Sequence, residues 1–166
     1  MIFLNIKLKD MNINYEETGE GQPIILLHGW LCSLETMKPI ANILKNDFKI
    51  YNIDLPGFGK SDMPDKPFNT NDFGDFLKEF IKKLNIKNPI LIGHSNGGRT
   101  IINYAGRNPG KTKKIVLIDS AGIKPKRNLW YYIKVYTFKT LKGIFNFLPK
   151  TEMFNNMRER MVAFFG

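Results

Sequence analysis

The sequence has one cysteine, two histidines and no long apolar run. The single cysteine, Cys32, excludes an internal disulfide framework and suits a reducing compartment. With only His28 and His94 beside it, no cysteine/histidine cluster of metal-ligand spacing can form, so no metal is expected. A dinucleotide fingerprint is also lacking, and no cofactor is expected. No stretch approaches the roughly 18 charge-free apolar residues of a membrane span. The N-terminal "MIFLNIKLKD" has too short an apolar run for a signal peptide, and a cytoplasmic protein is the expectation.

Acidic residues are few as well: 15 against 25 Lys/Arg, for a net charge of +10. The imbalance is localised. Residues 1–123 hold 16 Lys/Arg and 13 Asp/Glu, a net of +3, whereas residues 124–166 hold 9 and 2, a net of +7. A nucleic-acid groove built by the main body would need the basic residues there, so no nucleic-acid partner is expected. The apolar fraction of 43% is ordinary for a globular protein and excludes a disordered chain.

Between these absences runs a clear order of elements. "IFLNIKL" (2–8) and "MNINYEE" (11–17) alternate apolar and polar, as two half-buried antiparallel strands do. "PIILLH" (23–28) is a continuous apolar run, the mark of a strand covered on both faces. "LETMKPIANILKN" reads as a helix with Pro39 near its first turn. "FKIYNIDL" (48–55) is the next strand and leads into the loop "PGFGKSDMPDKP". Phe73, Phe76, Phe80 and Leu84 recur at helical spacing, with Asn71 or Asp72 as the N-cap. "PILIG" (89–93) is a buried strand, 96–107 a helix and "KKIVLID" (113–119) a further strand. This order, β-β-β-α-β-α-β-α-β, predicts an α/β fold: a mostly parallel sheet with helices on both faces. Two domains are expected, a core over 1–123 and a helical segment over 124–166. In the second, Leu129, Ile133, Tyr136, Leu141, Ile144, Phe145 and Leu148 are interleaved with Lys134, Lys139 and Lys142, predicting an amphipathic helix or helix pair. Another helix is expected over 151–165.

One motif carries chemistry. Gly93-His94-Ser95-Asn96-Gly97 matches G-x-S-x-G, with a buried strand before it and a helix after it. A sharp strand-to-helix turn of this kind holds its serine in a strained conformation and projects the hydroxyl at the carboxyl end of the sheet. Bulky residues at the flanking positions would collide, hence Gly93 and Gly97. The N–H of Asn96 opens the following helix and aims at the same spot. His28-Gly29-Trp30 closes the third strand, where a loop can bring a second backbone N–H, that of Trp30, to an oxyanion. His28 is then a structural residue hydrogen-bonded within the loop. "DLPGFGKSD" fails as a phosphate loop: the position five before the Gly59-Lys60 pair is Asp54, and Pro64 and Pro67 follow where a helix is required. Its glycines serve a tight turn, with Asp54 bonded to backbone.

"HGW", "DLPGFGKSD" and "GHSNGG", in this order and on these elements, resemble the α/β-hydrolase fold superfamily, in its cap-bearing serine branch. The resemblance covers residues 1–123, and 124–166 are similar to the start of a cap in position and character. It implies a hydrolase acting on a small ester, thioester, lactone or amide, with Ser95 as nucleophile and the Trp30 and Asn96 amides as oxyanion hole. In that family the acid and then the histidine follow the serine, on strands beyond the sixth. Here neither strand exists and no histidine follows Ser95. Asp119, ending the sixth strand, is the candidate acid, with hydrogen bonding inside its loop as the alternative. His94 is placed to miss the Ser95 hydroxyl, and His28 lies in the oxyanion loop. The expectation is a chain cut within its cap, with impaired turnover and a sixth strand left as an exposed edge. A non-catalytic remnant that binds an acyl ligand or a partner, including a second chain completing the sheet, is the alternative. The basic tail is expected to cover the site rather than to lie on a membrane.

Overall fold

The computed structural model describes residues 2–123, 126–147, 155–157 and 159–160. It divides into two compact units, Met1–Ile123 and Lys124–Gly166. The first holds six strands: β1 (Ile2–Leu8), β2 (Met11–Thr18), β3 (Pro23–Leu27), β4 (Lys49–Ile53), β5 (Ile90–His94) and β6 (Lys114–Ile118). Its helices are α1 (Lys38–Leu44), α2 (Thr70–Lys83) and α3 (Asn96–Arg107), with a short 3-10 helix, Leu34–Met37, ahead of α1.

The sheet runs β1-β2-β4-β3-β5-β6. β1 and β2 pair antiparallel, as do β2 and β4, and the remaining pairs are parallel. The burial of β3 follows from its place at the centre. Ile24, Leu26, Ile50 and Ile92 point to one face and pack with Met37 and Ala41 of the 3-10 helix and α1. Ile25, Leu27, Ile53 and Leu91 point to the other, against Phe73, Phe76, Leu77 and Phe80 of α2 and Ile101 and Tyr104 of α3. Helices therefore cover both faces, and each fully buried Leu or Phe contributes about 2–3 kcal/mol of transfer free energy. The α/β class read from the sequence is the class observed.

The boundaries differ in instructive ways. The N-cap of α2 is Asn69, not Asn71 or Asp72, because Asn69 accepts from the N–H groups of Asn71 and Asp72 while the Asp72 carboxylate accepts from the Asn69 N–H. This reciprocal box starts the helix a turn earlier than its phenylalanines indicate. The expected single helix over 34–46 begins as 3-10 and becomes α only at Lys38, where Pro39 is tolerated in the first turn. His28 and Asp54 lie just beyond β3 and β4, so both leave the ladder and enter the loops above the sheet.

Strand order matters for function. After β3 the chain moves to β4 on one side, then returns across β3 to β5 on the other. The connections leaving β3 and β5 thus diverge, which opens a crevice at their carboxyl ends. In the second unit, α4 spans Leu129–Phe147. The helix expected over 151–165 lies largely outside the described residues; within it, 155–157 and 159–160 are helical. Among the described residues, no helix is long and apolar enough to cross a membrane.

Candidate active site

Ser95 stands at the crevice, between the last residue of β5 and the first of α3. Its backbone has φ 50° and ψ −109°, a combination that costs a non-glycine residue about 1–3 kcal/mol. Sterics and hydrogen bonds hold it there. A Cβ on Gly93 would come within 2.6 Å of the Gly97 and Gly98 backbone, and one on Gly97 within 2.3 Å of the Leu27 carbonyl oxygen. The Ser95 N–H donates to the Ile118 carbonyl at 3.1 Å, and the Ala121 N–H donates to the Ser95 carbonyl at 3.0 Å. The end of β6 thereby braces the turn from outside. The Ser95 side chain does not cap α3. Asn96 is buried, and its Nδ2 finds no hydrogen-bond partner among the described residues.

The loop after β3 is pressed onto this turn. A Cβ on Gly29 would lie 3.3 Å from Ser95 Cβ and 2.9 Å from His94 Nδ1, so only glycine lets the loop approach so closely. Trp30 follows directly, half-exposed, with its ring edge-on to Phe58 at 5.0 Å.

Two buried residues fasten this loop to its neighbour. His28 is fully buried; its Nδ1 lies 2.8 Å from the Gly29 carbonyl, and its Nε2 accepts from the Leu55 N–H at 3.0 Å. That acceptor role puts the proton on Nδ1, which donates to Gly29. Burial holds the imidazolium pKa below its usual 6.5, only partly offset by the Gly29 hydrogen bond and the Asp54 charge. Asp54 fastens the same two loops from the other side. Its Oδ1 accepts from the Leu34 N–H at 2.7 Å, and its Oδ2 from Asn14 Nδ2 at 2.7 Å and the Lys60 N–H at 2.9 Å. His28, at the end of β3, thus holds the β4 loop, and Asp54, after β4, holds the β3 loop.

The structure brings His28, Gly29, Trp30, Gly93, His94, Ser95, Asn96 and Gly97 to one place. No hydrogen bond joins the Ser95 hydroxyl to either histidine among the described residues. Asp119 follows β6 with φ 41°, exposed, its carboxylate without a hydrogen bond or ion pair among the described residues. Cys32 is a free, half-buried thiol. Sequence reasoning missed Ser120: a Cβ on Gly98 would meet its Oγ at 2.3 Å, which is why the motif continues with a second glycine. It also missed Phe58 as the ring between His28 and Trp30. The glycine pair around Phe58 was the available signal.

A family model described as the alpha/beta hydrolase fold matches residues 22–140. Over 108 residues the chain is 36% identical to the AB hydrolase superfamily protein YisY of Bacillus subtilis (strain 168), covering 64% of this chain and 40% of that protein. It is 33% identical over 114 residues to the pimeloyl-[acyl-carrier protein] methyl ester esterase of Pseudoalteromonas atlantica, covering 68% of this chain and 42% of that one. The chain therefore spans about two fifths of the length of these curated relatives. Among solved structures, an alpha/beta hydrolase fold protein from Burkholderia ambifaria superposes with a TM-score of 0.69 at 23% identity, covering 88% of this chain and 53% of that chain. With the family model spanning most of the chain, this chain belongs to the alpha/beta hydrolase fold family.

Proposed function

We propose that Ser95 is the nucleophile of a hydrolase acting on a small ester, thioester, lactone or amide. The observation that carries the reading is the strained Ser95 backbone, braced between β5, α3 and the end of β6. In the proposed reaction Ser95 Oγ adds to the acyl carbonyl, and the oxyanion accepts hydrogen bonds from the Trp30 and Asn96 N–H groups. Collapse expels the alcohol, thiol or amine with the serine proton and leaves an acyl-serine, which water hydrolyses. Asp119 is proposed as the acid in this arrangement, and 124–166 as part of a cap. The esterase name of one relative favours an ester among the acyl classes.

No proton acceptor is hydrogen-bonded to the Ser95 hydroxyl among the described residues. Both ring nitrogens of His28 are engaged, and no histidine follows Ser95 in these 166 residues. A serine without a base retains only binding and oxyanion stabilisation, about 10³–10⁴-fold over water. Turnover by these residues alone is therefore slow. The occupied state of His28 also favours a second reading, a non-catalytic protein of the same fold that binds an acyl ligand or a partner chain along β6.

A fluorophosphonate probe separates the two. Slow labelling of the folded protein, lost in Ser95→Ala, is the outcome expected of the enzyme reading. A folded protein that stays unlabelled would leave the binding reading standing.

A further inference from the structure

Leu34, the first residue of the 3-10 helix, is held at both of its backbone groups by side chains from the β4 run. Its N–H donates to Asp54 Oδ1 at 2.7 Å, and its carbonyl accepts from Asn52 Nδ2 at 2.9 Å. A single bond would let Leu34 pivot about it, whereas two fix its orientation. His28 fastens the other end of the same loop. The segment Gly29–Ser33, which carries Trp30, is thus anchored at its entry and at its exit.

Stability alone does not account for Asn52. It is 1% exposed, on the face of the sheet that Ile24, Leu26 and Ile50 share with Met37 and Ala41. Its Oδ1 is buried and finds no hydrogen-bond partner among the described residues. Directly opposite it in the β2–β4 register stands Glu16, also 1% exposed. Glu16 Oε2 accepts from Asn52 Nδ2 at 3.4 Å, and Oε1 pairs with Lys38 Nζ at 3.0 Å. A half-satisfied amide and a buried carboxylate in an apolar layer are destabilising relative to leucines of similar volume. What the polar pair supplies is direction. Nδ2 has two hydrogens, and Glu16 takes one so that the other meets the Leu34 carbonyl.

We infer that Asn52, oriented by Glu16, is a positioning residue for the Trp30 amide. The inference rests on the reading of Ser95 as nucleophile and of Trp30 as oxyanion donor. Such a donor acts only when it is held within about 0.5 Å of its productive place. The residue after Trp30, Leu31, is in left-handed backbone at φ 57°, so the segment is strained and relaxes once its exit is released. The close approach of Gly29 to Ser95 is then lost.

The test is Glu16→Leu/Asn52→Leu in the full chain. Lys38 keeps Glu35 as its ion-pair partner, so no buried charge is stranded. Fluorophosphonate labelling of Ser95 is expected to slow about tenfold or more in its limiting rate. The probe concentration for half-maximal rate is unchanged, and the thermal midpoint is equal or higher. In a Trp130→Phe background Trp30 is the sole tryptophan, and its fluorescence anisotropy falls. Asn52→Ala, which leaves Leu34 unclamped without inserting bulk, gives the same slower rate and lower anisotropy and serves if the double variant does not fold. A labelling rate equal to the parent's, a slower rate with unchanged Trp30 anisotropy, or a rate that falls only as the thermal midpoint falls overturns the inference. A parent protein that resists labelling removes the Ser95 reading, and Trp30 anisotropy then decides by itself whether Asn52 holds this loop.

Discussion

Gly97 and Gly106 belong to the same helix, and the same substitution has opposite consequences at the two. A Cβ at position 97 meets the Leu27 carbonyl, a backbone atom that cannot move aside, whereas one at 106 meets nothing within 4 Å. Gly97→Ala is expected to cost about 3 kcal/mol through overpacking, and Gly106→Ala to stabilise by about 0.5 kcal/mol through helix propensity. Urea midpoints of the two variants check both signs. His28 supplies a pH dependence. Its folded pKa lies below 6.5, so the unfolded chain takes up a proton that the fold refuses. The stability held at neutral pH is therefore lost as pH falls through 6.5 toward the folded value, by up to about 1.4 kcal/mol per pH unit. Nitrogen chemical shifts of the His28 ring should show the neutral Nδ1–H tautomer at neutral pH, and a titration midpoint at or above 6.5 would contradict the assignment.

At the scale of the element, α2 depends on a cap outside its hydrophobic pattern. Asn69→Ala removes the acceptor for the N–H groups of Asn71 and Asp72 and is expected to cost about 1 kcal/mol, read as a shift in thermal midpoint. The strands were legible because burial on both faces demands continuous apolar runs, and "PIILL" and "ILIG" have no other reading in an alternating pattern. The cap was not, since Asn69, Asn71 and Asp72 are all competent caps, and only the geometry of the box selects the first. The serine turn was legible for a steric reason: few residues other than glycine fit at 93 and 97. Asp54 had a visible motif, but its three donors come from β2, the β3 loop and its own loop. No local pattern announces such a convergence.

For the molecule as a whole, β6 is the least protected part of the sheet. It pairs with β5 on one side only among the described residues, and its central Ile115 and Val116 are 40% and 38% exposed. An open edge with apolar side chains on both faces is a template for pairing with another chain. Light scattering is expected to show association that grows with concentration, and Val116→Lys to suppress it. The same substitution leaves the far side of the sheet, with β1 and β2, untouched.

Taken alone, the sequence determined the α/β class, the order of the strands along the chain and the serine turn. Each follows from local rules: hydrophobic period, run length and the steric demand for glycine. It also determined which side chains exist to do chemistry, and so that no histidine follows Ser95 in these residues. The tertiary structure decided what those side chains touch. It placed β3 between β4 and β5, paired His28 with Leu55 and Asp54 with Leu34, and set the β3 loop against Ser95. These contacts join residues far apart in sequence, and their geometry is set by packing across the sheet, which no short stretch of chain encodes.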